Sequence, residues 1–325
     1  MKKVLLIATG GTIASRKTPS GLSPSISCEE LLSFVPDAKS ICSVDAVQPF
    51  SVDSTNISPD HWLLLASIIR ENYHKYDGFV ICHGTDTIAY SAAALSYLIQ
   101  NTSKPIVLTG AQRPIDEDST DAKTNLCDSL RFASSYESGV VIVFGGNIIA
   151  GTRAKKVRTK SYNAFQSINF PEIGVIHPGR VVRYIPFQKA GEPEFYDKLS
   201  RRVQILKLTP GMPVEALLSV GELSDGLIIE SYGVGGIPDI YLDAIDSLVR
   251  LGKIIVMATQ VDREGSDLAV YQVGHRLKKE YRLLETYDMT PEATLTKLMW
   301  ALGQSNDKEE VRRLFCRSIN YDMLF

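Results

Sequence analysis

The 325-residue chain has no run approaching the roughly twenty apolar residues that a membrane-spanning helix needs. Its opening apolar stretch, residues 4–8, is five residues long and stops at Thr9-Gly10-Gly11-Thr12. That is too short for the core of a secretory signal and carries no small-residue cleavage site, so the expected location is cytoplasmic. An excess of either charge is also missing: 35 Lys and Arg face 37 Asp and Glu, a net charge of -2, which leaves no chain-wide basic face for nucleic acid. The five cysteines, at 28, 42, 82, 127 and 316, are odd in number and never spaced C-x-x-C, so neither a disulfide framework nor a zinc site is expected. The five histidines (61, 74, 83, 177 and 275) show no metal-ligand spacing, and His83 reads as a structural hydrogen-bonding residue. No metal and no cofactor are expected.

Nucleotide-binding signatures are absent too. A G-x-G-x-x-G fingerprint beginning at Gly10 fails at Thr12 and Ser15, and Gly252-Lys253 continues into Ile254 without the glycine spacing of a phosphate loop.

What the chain does have is a regular alternation. Nearly all-apolar runs at 4–9, 78–82, 105–109, 139–144, 226–230 and 254–258 read as strands buried on both faces. Helices lie between them with legible starts: Ser58-Pro59-Asp60 ahead of 62–73, and Thr290-Pro291-Glu292 ahead of Leu295, Leu298, Met299 and Leu302. Gly145-Gly146-Asn147 between two apolar runs predicts an appended β-hairpin. A polar stretch over 183–202, with Pro186, Gly191 and Pro193, breaks the rhythm. The chain is long for one hydrophobic core. The expected fold is α/β: a larger N-terminal domain (1–185) built on a mostly parallel sheet with the hairpin, a linker (186–203), and a smaller C-terminal α/β domain (204–325).

In open α/β sheets ligands bind beyond the carboxyl ends of the strands, which directs attention to three turns. They are Thr9-Gly10-Gly11-Thr12-Ile13-Ala14, His83-Gly84-Thr85-Asp86-Thr87 and Gly110-Ala111-Gln112-Arg113-Pro114. Small residues there let backbone N–H groups approach a ligand. A threonine hydroxyl is a poor nucleophile unless a neighbour takes its proton and nearby donors stabilise an oxyanion. On the residues alone, Thr12 is more often an N-cap than a nucleophile, Ser54 and Thr55 are a turn before Ser58, and Lys156 reads first as one member of the solvated basic run Arg153, Lys155, Lys156, Arg158, Lys160.

The paired threonine turns resemble the two signature blocks of bacterial-type L-asparaginases. Supporting blocks lie in register: Val52-Asp53-Ser54-Thr55, Thr109-Gly110-Ala111, Gly151-Thr152-Arg153-Ala154-Lys155-Lys156, Ser231-Tyr232-Gly233-Val234-Gly235-Gly236, and the segment from Asp288-Met289-Thr290 to Leu298. The resemblance spans essentially the whole chain and is to the cytoplasmic type I branch. It implies hydrolysis of L-asparagine to L-aspartate and ammonia, with Thr12 attacking the side-chain amide to form a β-aspartyl ester. Thr85, Asp86 and Lys156 resemble the second catalytic group. Because an exposed lysine is protonated near neutral pH, that role requires Lys156 to be tuned by burial and neighbouring charge. The resemblance further gives Asp86 the substrate α-ammonium, Asp53-Ser54-Thr55 the α-carboxylate, and Gly11 and Ala111 backbone contacts. It implies a homodimer or homotetramer. Related expectations are a glutaminase, or an amidotransferase subunit that donates ammonia. Those subunits carry an extra N-terminal domain, whereas the first strand here begins at Lys3, which favours a stand-alone enzyme. A non-catalytic amino-acid-binding protein is the alternative of a different class. One position departs from the pattern: in the loop 15–25, which reads as a lid, many relatives carry a tyrosine where this chain has Leu22.

Overall fold

A computed structural model describes residues 1–325 except Ser20, 187–190, 271–280 and Phe325. His275 and part of the polar stretch after Arg183 therefore lie outside the described residues. The chain divides into two compact units, Met1–Asp197 and Lys198–Phe325.

The first unit is built on an eight-stranded sheet. Its spatial order is Val181–Arg183, Gly174–Ile176, Asn147–Ala150, Gly139–Phe144, Pro105–Thr109, Gly78–Cys82, Lys3–Ala8 and Ser43–Val47. The last five of these run parallel, with Leu6 opposite both Ala46 and Val80, while the hairpin strand Asn147–Ala150 and the two beyond it are antiparallel. The central parallel strands are buried because helices cover them: Gly78–Cys82 and Pro105–Thr109 have no exposed residue, whereas the edge strand Ser43–Val47 alternates exposed and half-buried residues. Helix Pro59–Asn72 packs on Ile88–Leu98, which together with Ala122–Ala133 supplies that cover. The first starts where Ser58 donates its backbone N–H to His61 Nδ1 at 3.0 Å, with Pro59 in the first turn.

In chain order the parallel strands are arranged 2-1-3-4-5. Consequently the first strand, Lys3–Ala8, has the second on one side and the third, Gly78–Cys82, on the other. Chain connections leave this point in opposite directions, and the carboxyl ends of the two strands frame a crevice. The two threonine turns of the sequence lie at these two ends.

The second unit holds a four-stranded parallel sheet in the order Val203–Lys207, Gly226–Ser231, Ile254–Thr259, Leu284–Glu285. Leu227, Ile229, Ile255 and Met257 of this sheet pack with Leu217, Tyr241, Ile245 and Leu248. Helix Pro291–Gln304 begins at Thr290, whose hydroxyl accepts from the Ala293 N–H at 3.1 Å. No helix among the described residues is long and apolar enough to cross a membrane.

Strand Glu194–Phe195 lies inside the polar stretch and pairs with Ile99–Gln100, so helix Ile88–Leu98 stops at Leu98 and the next two residues join that ladder. Within the loop expected to be a lid, Ser15–Thr18 and Gly21–Pro24 pair as an antiparallel hairpin, with Ser15 opposite Pro24 and Lys17 opposite Leu22.

Candidate functional site

Glycine determines how closely the strand-end turns approach. Gly11 has φ 74°, a left-handed conformation that only glycine adopts freely, and a Cβ there would sit 2.3 Å from the Gly84 Cα. A Cβ on Gly84 would in turn meet the Ser54 side chain at 2.6–2.7 Å. The turns after the first and third strands are therefore stacked backbone to backbone, with the Ser54 side chain packed on Gly84. Hydrogen bonds hold the stack: Gly11 N–H to the Val52 carbonyl at 3.0 Å, Val52 N–H to the Thr9 carbonyl at 3.0 Å, and His83 N–H to the Thr109 carbonyl at 2.8 Å.

Ser54 is buried. Its hydroxyl accepts from the Asp86 N–H at 3.3 Å and its carbonyl from the Thr87 hydroxyl at 2.8 Å. Asp53 and Thr55 are exposed, and Asp53 Oδ1 accepts from both the N–H and the hydroxyl of Thr55 at 2.8 Å. Ala111 is fully buried beside Gly110, at which a Cβ would meet the His83 carbonyl at 2.3 Å.

Lys156 ends a short strand, Ala154–Lys156, that pairs antiparallel with Phe165–Ser167. Its side chain is 18% exposed. Its Nζ donates to Thr85 Oγ1 at 2.8 Å and to Asp86 Oδ1 at 2.7 Å. The basic run is thus no uniform solvated face. Arg153 is fully buried, with its guanidinium 5.4 Å from the Phe170 ring centre, whereas Arg158 and Lys160 are exposed.

The structure brings Thr85, Asp86, Lys156 and Ser54 into one hydrogen-bonded cluster and stacks Gly11, the neighbour of Thr12, against it. Thr12 is half-buried at the start of a one-turn 3₁₀ helix, Thr12–Ala14. Leu22 is 49% exposed on the hairpin. That hairpin is tied down by ion pairs: Arg16 with Glu30 and with Asp116 (3.7 Å), and Lys17 with Glu117 (2.8 Å).

Two residues of the site carry no functional signal in the sequence. Gln112 accepts the Thr85 hydroxyl proton on Oε1 at 3.3 Å. His83 is fully buried under the second threonine turn. A carbonyl can only accept, so the 2.7 Å contact with the Gly84 carbonyl places the ring proton on Nδ1. Nε2 then accepts from the Ser91 hydroxyl at 2.9 Å, and Ser91 Oγ accepts from Trp62 Nε1 at 2.8 Å. Burial holds the ring neutral, pushing it from its ordinary 6.5 down to about 4. Among the described residues no cluster of His, Cys, Asp and Glu is arranged to hold a metal ion.

Such a site, a Gly-Gly-Thr turn stacked on a Thr-Asp turn that a lysine bridges at a topological switch point, defines a class of two-unit α/β proteins that gather hydroxyls, a carboxylate and an amine at their strand ends. The chain belongs to the asparaginase family: residues 3–187 match the family model "Asparaginase, N-terminal" and residues 202–315 match "Glutaminase/Asparaginase C-terminal domain". It is 41% identical over 322 residues to an L-asparaginase of Thermococcus kodakarensis, across 98% of each chain. It superposes on the structure of the thermostable L-asparaginase from that organism with a TM-score of 0.94 at 39% identity, covering 99% of both. It is also 34% identical to a glutamyl-tRNA(Gln) amidotransferase subunit of Pyrococcus abyssi, over 97% of this chain and 75% of that protein.

Proposed function

We propose that the protein is an L-asparagine amidohydrolase that releases L-aspartate and ammonia through a β-aspartyl ester on Thr12. The observation that carries this reading is the Lys156 ammonium shared between Thr85 Oγ1 and Asp86 Oδ1 beside the Gly10-Gly11-Thr12 turn. Membership of the asparaginase family and the near full-length likeness to an L-asparaginase support the choice of substrate.

In this mechanism the Thr12 oxygen bonds to the side-chain carbon of asparagine. Backbone donors of the strand-end turns stabilise the oxyanion, with Gly11 and Ala111 making backbone contacts to the substrate, and the C–N bond breaks as the nitrogen takes a proton and leaves as ammonia. Water then cleaves the ester and restores the hydroxyl. Leu22 has no atom to relay a proton; in this reading Thr85 with Lys156 activates Thr12 and the water, and a tyrosine from elsewhere entering the site is the alternative. Asp86, whose side chain is 57% exposed, has a second oxygen to pair with the substrate α-ammonium, and the Asp53-Ser54-Thr55 segment takes the α-carboxylate. The lysine, two carboxylates and local dipoles recognise a zwitterion without help from the field of a nearly neutral protein.

In this reading the enzyme is cytoplasmic and works as a homodimer or homotetramer, which sedimentation tests directly. Incubation with asparagine and with glutamine at matched concentrations, reading ammonia, tests the substrate. Asparagine turnover well above glutamine turnover supports the proposal. The reverse order favours a glutaminase or ammonia-donating role, a reading raised by the amidotransferase relative.

A further inference from the structure

A trans peptide is planar, and its carbonyl and N–H point in opposite directions. Whatever holds the Gly11 carbonyl therefore aims the N–H of Thr12. Two donors hold that carbonyl: the Ala14 N–H at 3.1 Å and the Ser15 hydroxyl at 2.8 Å. Ser15 is buried, and its own backbone N–H donates to the Thr12 carbonyl. It thus grips the peptides on both sides of Thr12. Ser15 is fixed in turn, because it lies opposite Pro24 in the hairpin and the neighbouring Ala14 carbonyl accepts from the Ser25 and Ile26 N–H groups at 2.9 Å each. With the carbonyl side of the peptide clamped, the Thr12 N–H faces away from Ser15 and has no hydrogen-bond partner among the described residues. Its neighbours differ. The Gly11 N–H is committed to the Val52 carbonyl at 3.0 Å and Ile13 is fully buried, whereas Thr12 is half-buried.

We infer that Ser15 is a positioning residue: by holding the Gly11–Thr12 peptide it presents the Thr12 N–H to the oxygen of the amide that the Thr12 hydroxyl attacks. As the Thr12 oxygen bonds to the amide carbon, the C=O electron pair moves onto that oxygen, and the nucleophile's own N–H stabilises the charge. A donor on the nucleophile's backbone lies beside the reacting atoms by construction, but it is effective only if its peptide plane is fixed beforehand. The charge gathers on the amide oxygen, so the role of Ser15 is independent of which group takes the Thr12 proton. It rests on the reading of Thr12 as the nucleophile.

Ser15→Ala deletes the hydroxyl and keeps the backbone. Removing an oxyanion donor outright costs about 10²–10³-fold in kcat. Here the donor stays and its clamp loses about one neutral hydrogen bond, so the expected fall in kcat is about tenfold, with KM changed less than about threefold. Aspartate, the product, fills the site without an amide to attack, and its inhibition constant stays within about threefold of wild type. Ser15→Thr carries the same hydroxyl on a residue suited to a strand and restores kcat to within about threefold. Ser15→Gly gives the same split should the alanine variant not fold. Wild-type kcat in folded Ser15→Ala or Ser15→Gly, an aspartate constant that weakens along with kcat, or a Ser15→Thr protein as slow as the alanine variant would each overturn the inference. If wild-type protein releases no ammonia from asparagine, or Thr12→Ala keeps full turnover, the underlying function or its nucleophile fails. If both controls behave as expected and the Ser15 variants match wild type, the role of Ser15 alone fails.

Discussion

Acidification destabilises the first unit through His83, by an amount the structure sets. The ring is fully buried, donates from Nδ1 to the Gly84 carbonyl and accepts on Nε2 from Ser91, so its native environment has no place for a second ring proton. Burial holds the native ring down at about 4, whereas the unfolded chain takes up its proton near the ordinary 6.5. Between these values the unfolded state binds more protons than the native one, so stability rises with pH across that window and is lost as the pH falls from 6.5 toward 4. At about 1.4 kcal/mol per pH unit the full contribution is about 3 kcal/mol, and about 2 kcal/mol of it is gone by pH 5. The assay is urea unfolding followed by circular dichroism at several pH values, for wild type and His83→Gln. The variant is less stable at neutral pH because it disturbs the Gly84 and Ser91 bonds, yet its stability falls less steeply over the same interval. Parallel pH dependences for the two proteins would refute the reasoning, since the slope then has another source.

Two further perturbations separate chemistry from stability. Lys156→Met is expected to lower kcat by about 10²–10⁴-fold, the usual worth of a positioned acid–base group. Its effect on the urea midpoint should be small, because the Asp86 side chain that it pairs with is 57% exposed and a solvated pair contributes at most about 1 kcal/mol. The opposite holds for Lys297 in the second unit, which forms a 2.6 Å ion pair with Asp322 where neither side chain is exposed. Lys297→Met leaves the Asp322 charge buried without its cation and should cost about 3–5 kcal/mol in urea unfolding. An unchanged midpoint would show that the pair is dispensable.

The sheet is largely legible in the sequence because strands buried on both faces must be continuous apolar runs: Gly78–Cys82, Pro105–Thr109 and Gly139–Phe144 begin and end where the pattern places them. The strands Gly174–Ile176 and Val181–Arg183, at the far end of the sheet, are three residues each, too short to leave a periodicity to read. The site divides along similar lines. Thr12, Thr85 and Asp86 sit in strand-end turns that any α/β reading would inspect, but Lys156 is separable from its basic neighbours in sequence only through the family resemblance. What distinguishes it physically is a partly buried strand end from which it reaches residues 70 and 71 positions earlier. Gln112 reads in sequence as one residue of a turn, with no role of its own. Its orientation depends on the Ser161 carbonyl, 49 residues away, a backbone atom with no signature in sequence. Leu22 is legible as a departure from the family pattern, and its exposure on the hairpin leaves that departure in place.

The central claim is that the Thr12 hydroxyl is the nucleophile of an asparagine amidohydrolase. Its most direct test is ammonia release from asparagine by wild-type protein and by Thr12→Ala, purified alike and shown by circular dichroism to be equally folded. Steady release by wild type and none detectable from the variant is the predicted result. Full turnover by Thr12→Ala would contradict it.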